Sequence, residues 1–354
     1  MRVRLDKIAS STRNAGLHAR VVVGADIPAV PGTVVAVRVL DEKAVYNQIE
    51  DVHGRMMTVH AGDVVAGVLG AREALRGYSG VVPDSVRPGD ILELLNLGGI
   101  IGRCTAWSPE VGPPARVEVL GAVLHFPELG RRVGVPANIF PGPVALASTL
   151  GPLPPVVLVV GSCMHAGKTR AACALVREAT TRGLHVAAAK ITGVALRRDT
   201  LEMMDHGAVQ AVSFADAGLP STTGVDVLAV ARGCMRAAAE QADLLVVELG
   251  DGLLGSYGVR EVLAAPDIRD AASAVVLAAT DPVAAWGGAM LLERLGLSAT
   301  AITGPATDNE AGHRAIADNV PGVAIANANR APGRLADAVL GAAGAVPLRA
   351  AAAT

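Results

Sequence analysis

Residues 156–190 read VVLVVGSCMHAGKTRAACALVREATTRGLHVAAAK, and the fold turns on how this stretch is read. Five β-prone apolar residues run into a loop of small residues that ends Gly167-Lys168-Thr169, and an Ala/Leu-rich pattern of helical period follows. A buried strand, a tight loop and a helix present free backbone amides and the positive end of a helix dipole to an anion. Gly167 lets the backbone approach closely, the Lys168 ammonium reaches phosphate oxygens, and the Thr169 hydroxyl is placed for Mg²⁺. The usual phosphate-loop spacing puts four residues between its first glycine and the Gly-Lys pair. Here five follow Gly161, so the strict pattern is met only if Ser162 takes the first glycine's place.

The lysine usage sharpens this reading. The chain has four lysines (Lys7, Lys43, Lys168, Lys190) against 27 arginines. A sequence that otherwise writes Arg for surface charge puts two of its lysines at consecutive strand ends. A compact ammonium on a flexible stem suits a phosphate pocket where a planar guanidinium does not.

Outward from this stretch, residues 152–354 keep one rhythm. Strand candidates Val156–Val160, His185–Ala189, Val209–Phe214, Leu244–Glu248, Ala274–Ala279, Thr300–Thr303 and Val323–Ala326 alternate with helix-length segments. That alternation predicts an α/β fold with a parallel sheet covered on both faces. Residues 1 to about 150 differ, with short β-branched runs such as GTVVAVRVL and ARVEVLGAVLHFP between turns. They predict a smaller β-rich domain, barrel-like in its strand spacing. The Pro-rich segment 141–155 marks the boundary, giving domains of 1–150 and 151–354. The tail AAGAVPLRAAAAT is expected to fray.

Composition excludes several classes. The chain is 51% hydrophobic and 18% charged with a net charge of −2, so nothing electrostatic argues for nucleic acid or anionic lipid. Aromatics are 2% of residues, which leaves the core to Val, Leu, Ile and Ala. Val133 to Gly167 carries no charged side chain, yet Pro136, Pro141, Pro143, Pro152, Pro154 and Pro155 break it, so no membrane helix fits. The basic N-terminus lacks the apolar core of a signal peptide. Four cysteines show no metal-ligand spacing and read as reduced thiols. A cytoplasmic protein is expected.

Acidic candidates complete the site. DLLVVELGDG is a buried strand ending at Glu248, with Asp251 three residues on. A carboxylate at the carboxyl end of a neighbouring strand is where a nucleotide's Mg²⁺ is controlled, and a turn cap is the competing use. Strand two leaves through Lys190, Thr192 and Gly193 towards Asp199, which either serves the site or caps the helix beginning at Thr200.

With these residues assembled, the second domain resembles dethiobiotin synthetase and its relatives in the SIMIBI class of P-loop NTPases. That family's loop also has five residues before Gly-Lys-Thr, here Gly161 to Thr169. Its strand-two lysine before Thr/Ser-Gly looks like Lys190-Ile191-Thr192-Gly193. Its helix-opening Mg²⁺ aspartate is matched by Asp199, and its Val-Glu-Gly glutamate by Val247-Glu248-Leu249-Gly250. The likeness covers roughly residues 155–255. Leu249 departs from the glycine after the glutamate, and the first 150 residues have no counterpart.

The resemblance implies ATP and Mg²⁺, and it does not extend to biotin synthesis. Gly161, Ser162, His165, Ala166, Gly167, Lys168, Thr169 and Arg170 are expected to bind nucleotide, Thr169, Asp199 and Glu248 the metal, and Lys168, Lys190 and Glu248 to act in catalysis. Dimeric switches of this superfamily carry an extra lysine early in the loop, where this chain has Cys163. The expectation is therefore a ligase or small-molecule kinase that activates a small carboxylate or amino-acid-like substrate, working as a homodimer. A nucleotide-gated switch or metallochaperone is the alternative. A looser similarity to P-loop proteins that epimerise or N-acylate glutamate-like amino acids leaves a nucleotide-bearing cofactor such as coenzyme A open.

Other residues offer less. Cys163 lies near a helix N-terminus but no base partner is visible. His53, His60 and Asp63 could suit a metal, although exposed strand and turn residues explain them more cheaply. Arg72, Arg76 and Arg103 could hold an acidic ligand in the first domain. Thr303, Asp308 and Asn309 could contact a base, against helix capping by the last two.

Overall fold

The computed structural model describes residues 1–128 and 132–345. The expected fraying of the tail falls, from residue 346, outside the described residues. Among the described residues no helix is long and apolar enough to cross a membrane. The chain forms two compact units. Met1–Val144 makes the first together with Val194–Arg198 and Phe214–Thr223, and the remainder makes the second. The Pro-rich segment thus holds the division, while two short segments of the C-terminal half belong to the first unit. Backbone pairing explains their place: Ala195 donates to the Pro220 carbonyl at 2.9 Å, and Asn96 donates to the Ala195 carbonyl at 2.8 Å.

The first unit is built on a closed ring of strands. Val34–Val39 pairs with Val64–Leu69 and with Arg116–His125. Val64–Leu69 pairs in parallel with Ile100–Trp107, and Ile91–Leu94 joins Ile100–Trp107 to Arg116–His125. Successive side chains point to opposite faces of a strand. Accordingly Val35, Val37, Val65, Leu69, Ile101, Val117 and Val119 form one apolar cluster. Their neighbours Val34, Ala36, Ala66, Val68, Ile100 and Val123 form another. Closure removes the open edges that a sheet of this size would otherwise expose.

In the second unit we label elements in chain order: β1 (Val156–Gly161), α1 (Lys168–Thr181), β2 (Val186–Thr192), α2 (Arg198–Asp205), β3 (Gln210–Ser213), α3 (Val227–Ala239) and β4 (Leu244–Leu249). There follow α4 (Val259–Ala264), α5 (Pro266–Ala271), β5 (Ala272–Ala278), α6 (Pro282–Arg294), β6 (Ala301–Thr303), α7 (Glu310–Asn319), β7 (Ala324–Ile325) and α8 (Pro332–Ala342). The strands are parallel in the order β3-β2-β4-β1-β5-β6-β7. Each of Val156 to Val160 is fully buried, as a central strand covered on both faces requires. One face packs on Ala171, Ala172, Leu175, Val176 and Ala179 of α1 and on Leu335, Ala336 and Val339 of α8. Helix starts are chemically marked. Asp226 caps α3, Asp281 caps α6 ahead of Pro282, and Asn309 caps α7.

From β1 the chain crosses to β2, beyond β4, and later strands fill the other side from β5. The carboxyl ends of β1 and β4 therefore flank the point where the strand order reverses, the position at which open α/β sheets bind ligands.

Candidate functional site

β1 ends at Gly161, and residues 162–167 turn the chain into α1. His165 has φ 61° and Gly167 φ 97°, two left-handed residues that reverse the chain within a few positions. Gly167 precedes the helix and offers no side-chain cap, so the first amides of α1 face the loop. Gly161 is required sterically, because a Cβ there would lie 2.8 Å from Cγ and Cδ of Lys168. That lysine folds back over the strand end and donates from Nζ to the Cys163 carbonyl at 2.9 Å. The geometry is a phosphate loop, and the longer spacing after Gly161 is accommodated within it.

β2 and β4 bring the acidic and second basic groups alongside. Lys190 and Glu248 sit at the same register of neighbouring strands, and Val159 of β1 registers with Glu248 from the other side. Glu248 is 1% exposed. Its Oε1 accepts the Thr169 hydroxyl at 3.0 Å and lies 3.8 Å from Lys190 Nζ. Its Oε2 is buried with no hydrogen-bond partner among the described residues. Lys190 also forms a short ion pair with Asp199, and both are buried. Asp199 lies in the first turn of α2. Its side chain thus meets the lysine at the end of β2.

Burial makes this cluster electrostatically costly. Burial pushes the Lys168 ammonium below its ordinary range, and the nearby Glu248 only partly opposes it. Burial pushes the Glu248 carboxyl up, against the pull of Lys190. Both groups are held where their charged forms are disfavoured. A divalent cation on Glu248 and a polyanion on Lys168 would relieve both. The orphaned Oε2 and the Thr169 hydroxyl beside the same carboxylate are a donor set of the hard-oxygen kind that Mg²⁺ takes.

Gly250 resolves the departure at Leu249. Leu249 is the last residue of β4 and is fully buried. The close approach falls one residue later, where a Cβ on Gly250 would lie 2.3 Å from the Thr192 carbonyl and 3.2 Å from Cε of Lys190. The turn then continues through Asp251, at φ 71°, to Gly252, whose added Cβ would meet the Ser162 carbonyl at 2.6 Å.

The remaining candidates separate. His165 and Arg170 are exposed, and Arg170 donates to Asn329 Oδ1 at 2.5 Å. Ser162 and Ala166 are in the loop, and Thr169 is the second residue of α1. Thr303 accepts the Ala328 amide at 3.0 Å, Asp308 accepts from Asn327 at 2.8 Å, and Asn309 caps α7 by accepting the Gly312 amide at 2.9 Å. Cys163 donates from its thiol to the Met164 carbonyl at 3.1 Å. In the first unit, Asp63 is bound by Lys7 at 2.5 Å and by the His60 amide at 2.7 Å, a turn arrangement. Arg72 is buried, donating to Tyr46 and the Leu95 carbonyl, whereas Arg76 and Arg103 are exposed.

No family model matches the chain, and no curated protein matches it. Solved structures do. A DUF1611 family protein from Anabaena variabilis is 20% identical, with 53% of this chain and 58% of that one covered and a TM-score of 0.39. The signal recognition particle receptor FtsY from Elizabethkingia anophelis, in complex with GDP, is 16% identical over 56% and 68%, with a TM-score of 0.38. HypB from Helicobacter pylori, in complex with nickel, is 15% identical over 52% and 83%, with a TM-score of 0.29. The chain thus spans 58% of the length of the Anabaena protein. The second unit is by its own strand order and loop a parallel α/β sheet with a phosphate-type loop after its central strand.

Proposed function

We propose that the protein binds a nucleoside triphosphate with Mg²⁺ and transfers its γ-phosphoryl group to a small carboxylate or amino-acid-like substrate, as a kinase or as the first half of a ligase. One observation carries this reading. A second buried ammonium, Lys190, stands 3.8 Å from Glu248 at the strand end next to the loop that holds Lys168. Holding the nucleotide alone calls for the loop and its own lysine. A further cation there suits an anionic acceptor or the transferred group. The likeness to dethiobiotin synthetase at Lys190, Asp199 and Glu248 supports the same assignment.

The chain's residues divide the work. The amides of residues 162–168 and the Lys168 ammonium bind the phosphates. Thr169 and Glu248, with Asp199 once Lys190 turns to the substrate, hold the metal. Bound Mg²⁺ supplies neutralisation of charge on the phosphate oxygens. Lys190 orients the acceptor carboxylate and offsets negative charge as the phosphoryl group moves. Rate enhancement then comes from positioning and electrostatics, with no covalent protein intermediate. ATP is the expected nucleotide.

Products test the proposal. The full chain is incubated with ATP or GTP, Mg²⁺ and a panel of small amino and dicarboxylic acids. Release of nucleoside diphosphate only when one acid is present supports transfer. Release that is indifferent to every acid and rises with a protein partner would place the chain among nucleotide-gated switches instead.

A further inference from the structure

Within the second unit, the phosphate loop rests against the turn that follows β6. A Cβ on Gly304 would lie 2.3 Å from the Ala166 carbonyl, and one on Gly167 would lie 3.5 Å from the Gly304 Cα. Gly304 has φ 92° and ψ −169°, a backbone state open essentially to glycine alone. Two stretches of main chain thus meet with no side chain between them, and one of them carries the Ala166 and Gly167 amides.

The turn is held from two sides. The Ala279 amide, past the end of β5, donates to the Thr303 carbonyl at 2.9 Å, and the Ala306 amide donates back to the Ala279 carbonyl at 3.0 Å. From the other side comes a relay of buried side chains. Asn327, just past β7, donates from Nδ2 to the Thr307 hydroxyl at 3.1 Å, and that hydroxyl donates to the Gly304 carbonyl at 2.8 Å. The Thr307 amide reaches the same carbonyl at 2.9 Å. Thr307 and Asn327 are only 2% and 4% exposed.

Asn327 spends its whole hydrogen-bonding capacity here. Its Nδ2 also donates to Asp308 at 2.8 Å, and its Oδ1 accepts the Asn329 and Arg330 amides at 2.9 and 3.0 Å. A buried polar network satisfied in this way rigidifies what it ties together. A surface connection between a strand and a helix has no need of such a network. This one ends on the residue that abuts the loop.

We infer that Gly304 and Thr307 are positioning residues for the phosphate loop: the relay through Thr307 fixes Gly304, and Gly304 sets where the Ala166 and Gly167 amides stand. Both act through the main chain of the loop. The inference rests on the nucleotide reading above, in which those amides bind phosphate.

The test is isothermal calorimetry of the full chain with Mg²⁺ and either ATP or tripolyphosphate, which has the phosphates and no base. Gly304→Ala forces a Cβ against the Ala166 carbonyl and should weaken both ligands by about tenfold or more, the worth of one hydrogen bond to a charged group. Thr307→Val exchanges the hydroxyl for a methyl and should weaken both by a smaller factor. Thr307→Ser keeps the hydroxyl and should bind as the wild type does. The threonine pair carries the test if the alanine variant does not fold. A lower melting temperature in Thr307→Val with wild-type affinities makes the relay a stability device and overturns the inference. A loss confined to ATP, where the wild type binds both ligands, assigns the turn to the nucleoside and also overturns it. Where the wild type binds ATP alone, weakening in the valine variant with retention in the serine variant supports the inference, and no weakening overturns it. If the wild type binds neither ligand, or Lys168→Ala binds them undiminished, the nucleotide reading itself fails and takes this inference with it.

Discussion

Two carboxylates of the first unit, Asp41 and Asp63, and the strand-end charges of the second are handled in opposite ways. In the first unit both are eased. Asp41 is held below its usual range chiefly by hydrogen bonds from the Arg116 side chain. Asp63 is also held low although burial opposes it, through Lys7 and the His60 amide. In the second, Glu248 is pushed up and Lys168 down by burial at the ends of β4 and β1. A fold that merely needed stability would fill those strand ends with apolar side chains, since buried ions rarely stabilise. The contrast separates charges that serve the scaffold from charges kept for a ligand, because binding sites are where disfavoured ionisation is tolerated.

The largest effect expected comes from removing the ligand's chief counter-charge. Lys168→Ala should abolish the thermal shift produced by nucleotide and Mg²⁺, which for the wild type at 100 times Kd corresponds to about 2.7 kcal/mol. An undiminished shift would take the loop out of the site and erase the contrast between the units. Next, Gly250→Ala places a Cβ against the Thr192 carbonyl and beside Lys190. Overpacking of this kind costs about 1–3 kcal/mol. Chemical denaturation should show that loss, together with a weakened response to any acid substrate. A wild-type midpoint would show that the β4 end yields more easily than its packing indicates.

The sequence revealed most where burial is uniform. All seven strands of the second unit were placed within a few residues, because central parallel strands are continuous apolar runs bounded by loops. The exception is β2, which continues through Lys190 to Thr192. A charged residue inside a strand is not expected from its pattern. Lys168, Lys190 and Glu248 were legible as strand-end chemistry, whereas the role of Asp199 was not. Its position at the start of a helix fits a cap or a site equally, and its pairing with Lys190 cannot be read from the sequence. Strand spacing suggested a barrel but not how it closes, since closure depends on Val34–Val39 pairing with Arg116–His125 and Val64–Leu69 with Ile100–Trp107, strands far apart in the chain.

Glu248→Gln sharpens the comparison from the other side. The Glu248 pKa is raised in the folded chain, so its contribution to stability is fully present below the unfolded value and is lost as pH rises through the folded one. At neutral pH folding must either desolvate this carboxylate or protonate it, and both are costs. The glutamine variant without ligand should be more stable than the wild type at pH 7, and the difference should shrink as pH falls through the ordinary carboxylate range. It should also lose the Mg²⁺-dependent part of the nucleotide shift. A less stable variant at pH 7 would mean that the 3.8 Å contact with Lys190 outweighs desolvation.

Asp63→Asn provides the small, opposite result that the first unit requires. Burial raises the Asp63 pKa, but the hydrogen bond from Lys7, the His60 amide and the charge of Lys7 together outweigh it and leave the pKa lowered. A depressed carboxylate contributes stability above its unfolded value, and that contribution disappears as pH falls through the folded value. Both partners remain partly solvated, at 13% and 17% side-chain exposure, so the pair is worth only about 0.5–1 kcal/mol. The asparagine variant should be destabilised by that amount at pH 7 and by progressively less as pH falls through the carboxylate range, with its nucleotide response intact. Denaturation midpoints across this range, set beside those of Glu248→Gln, would then show slopes of opposite sign. A matching sign in the two variants would mean that the Lys7–Asp63 pair is as unfavourable as the charges at the strand ends, and the division of labour between the units would not hold.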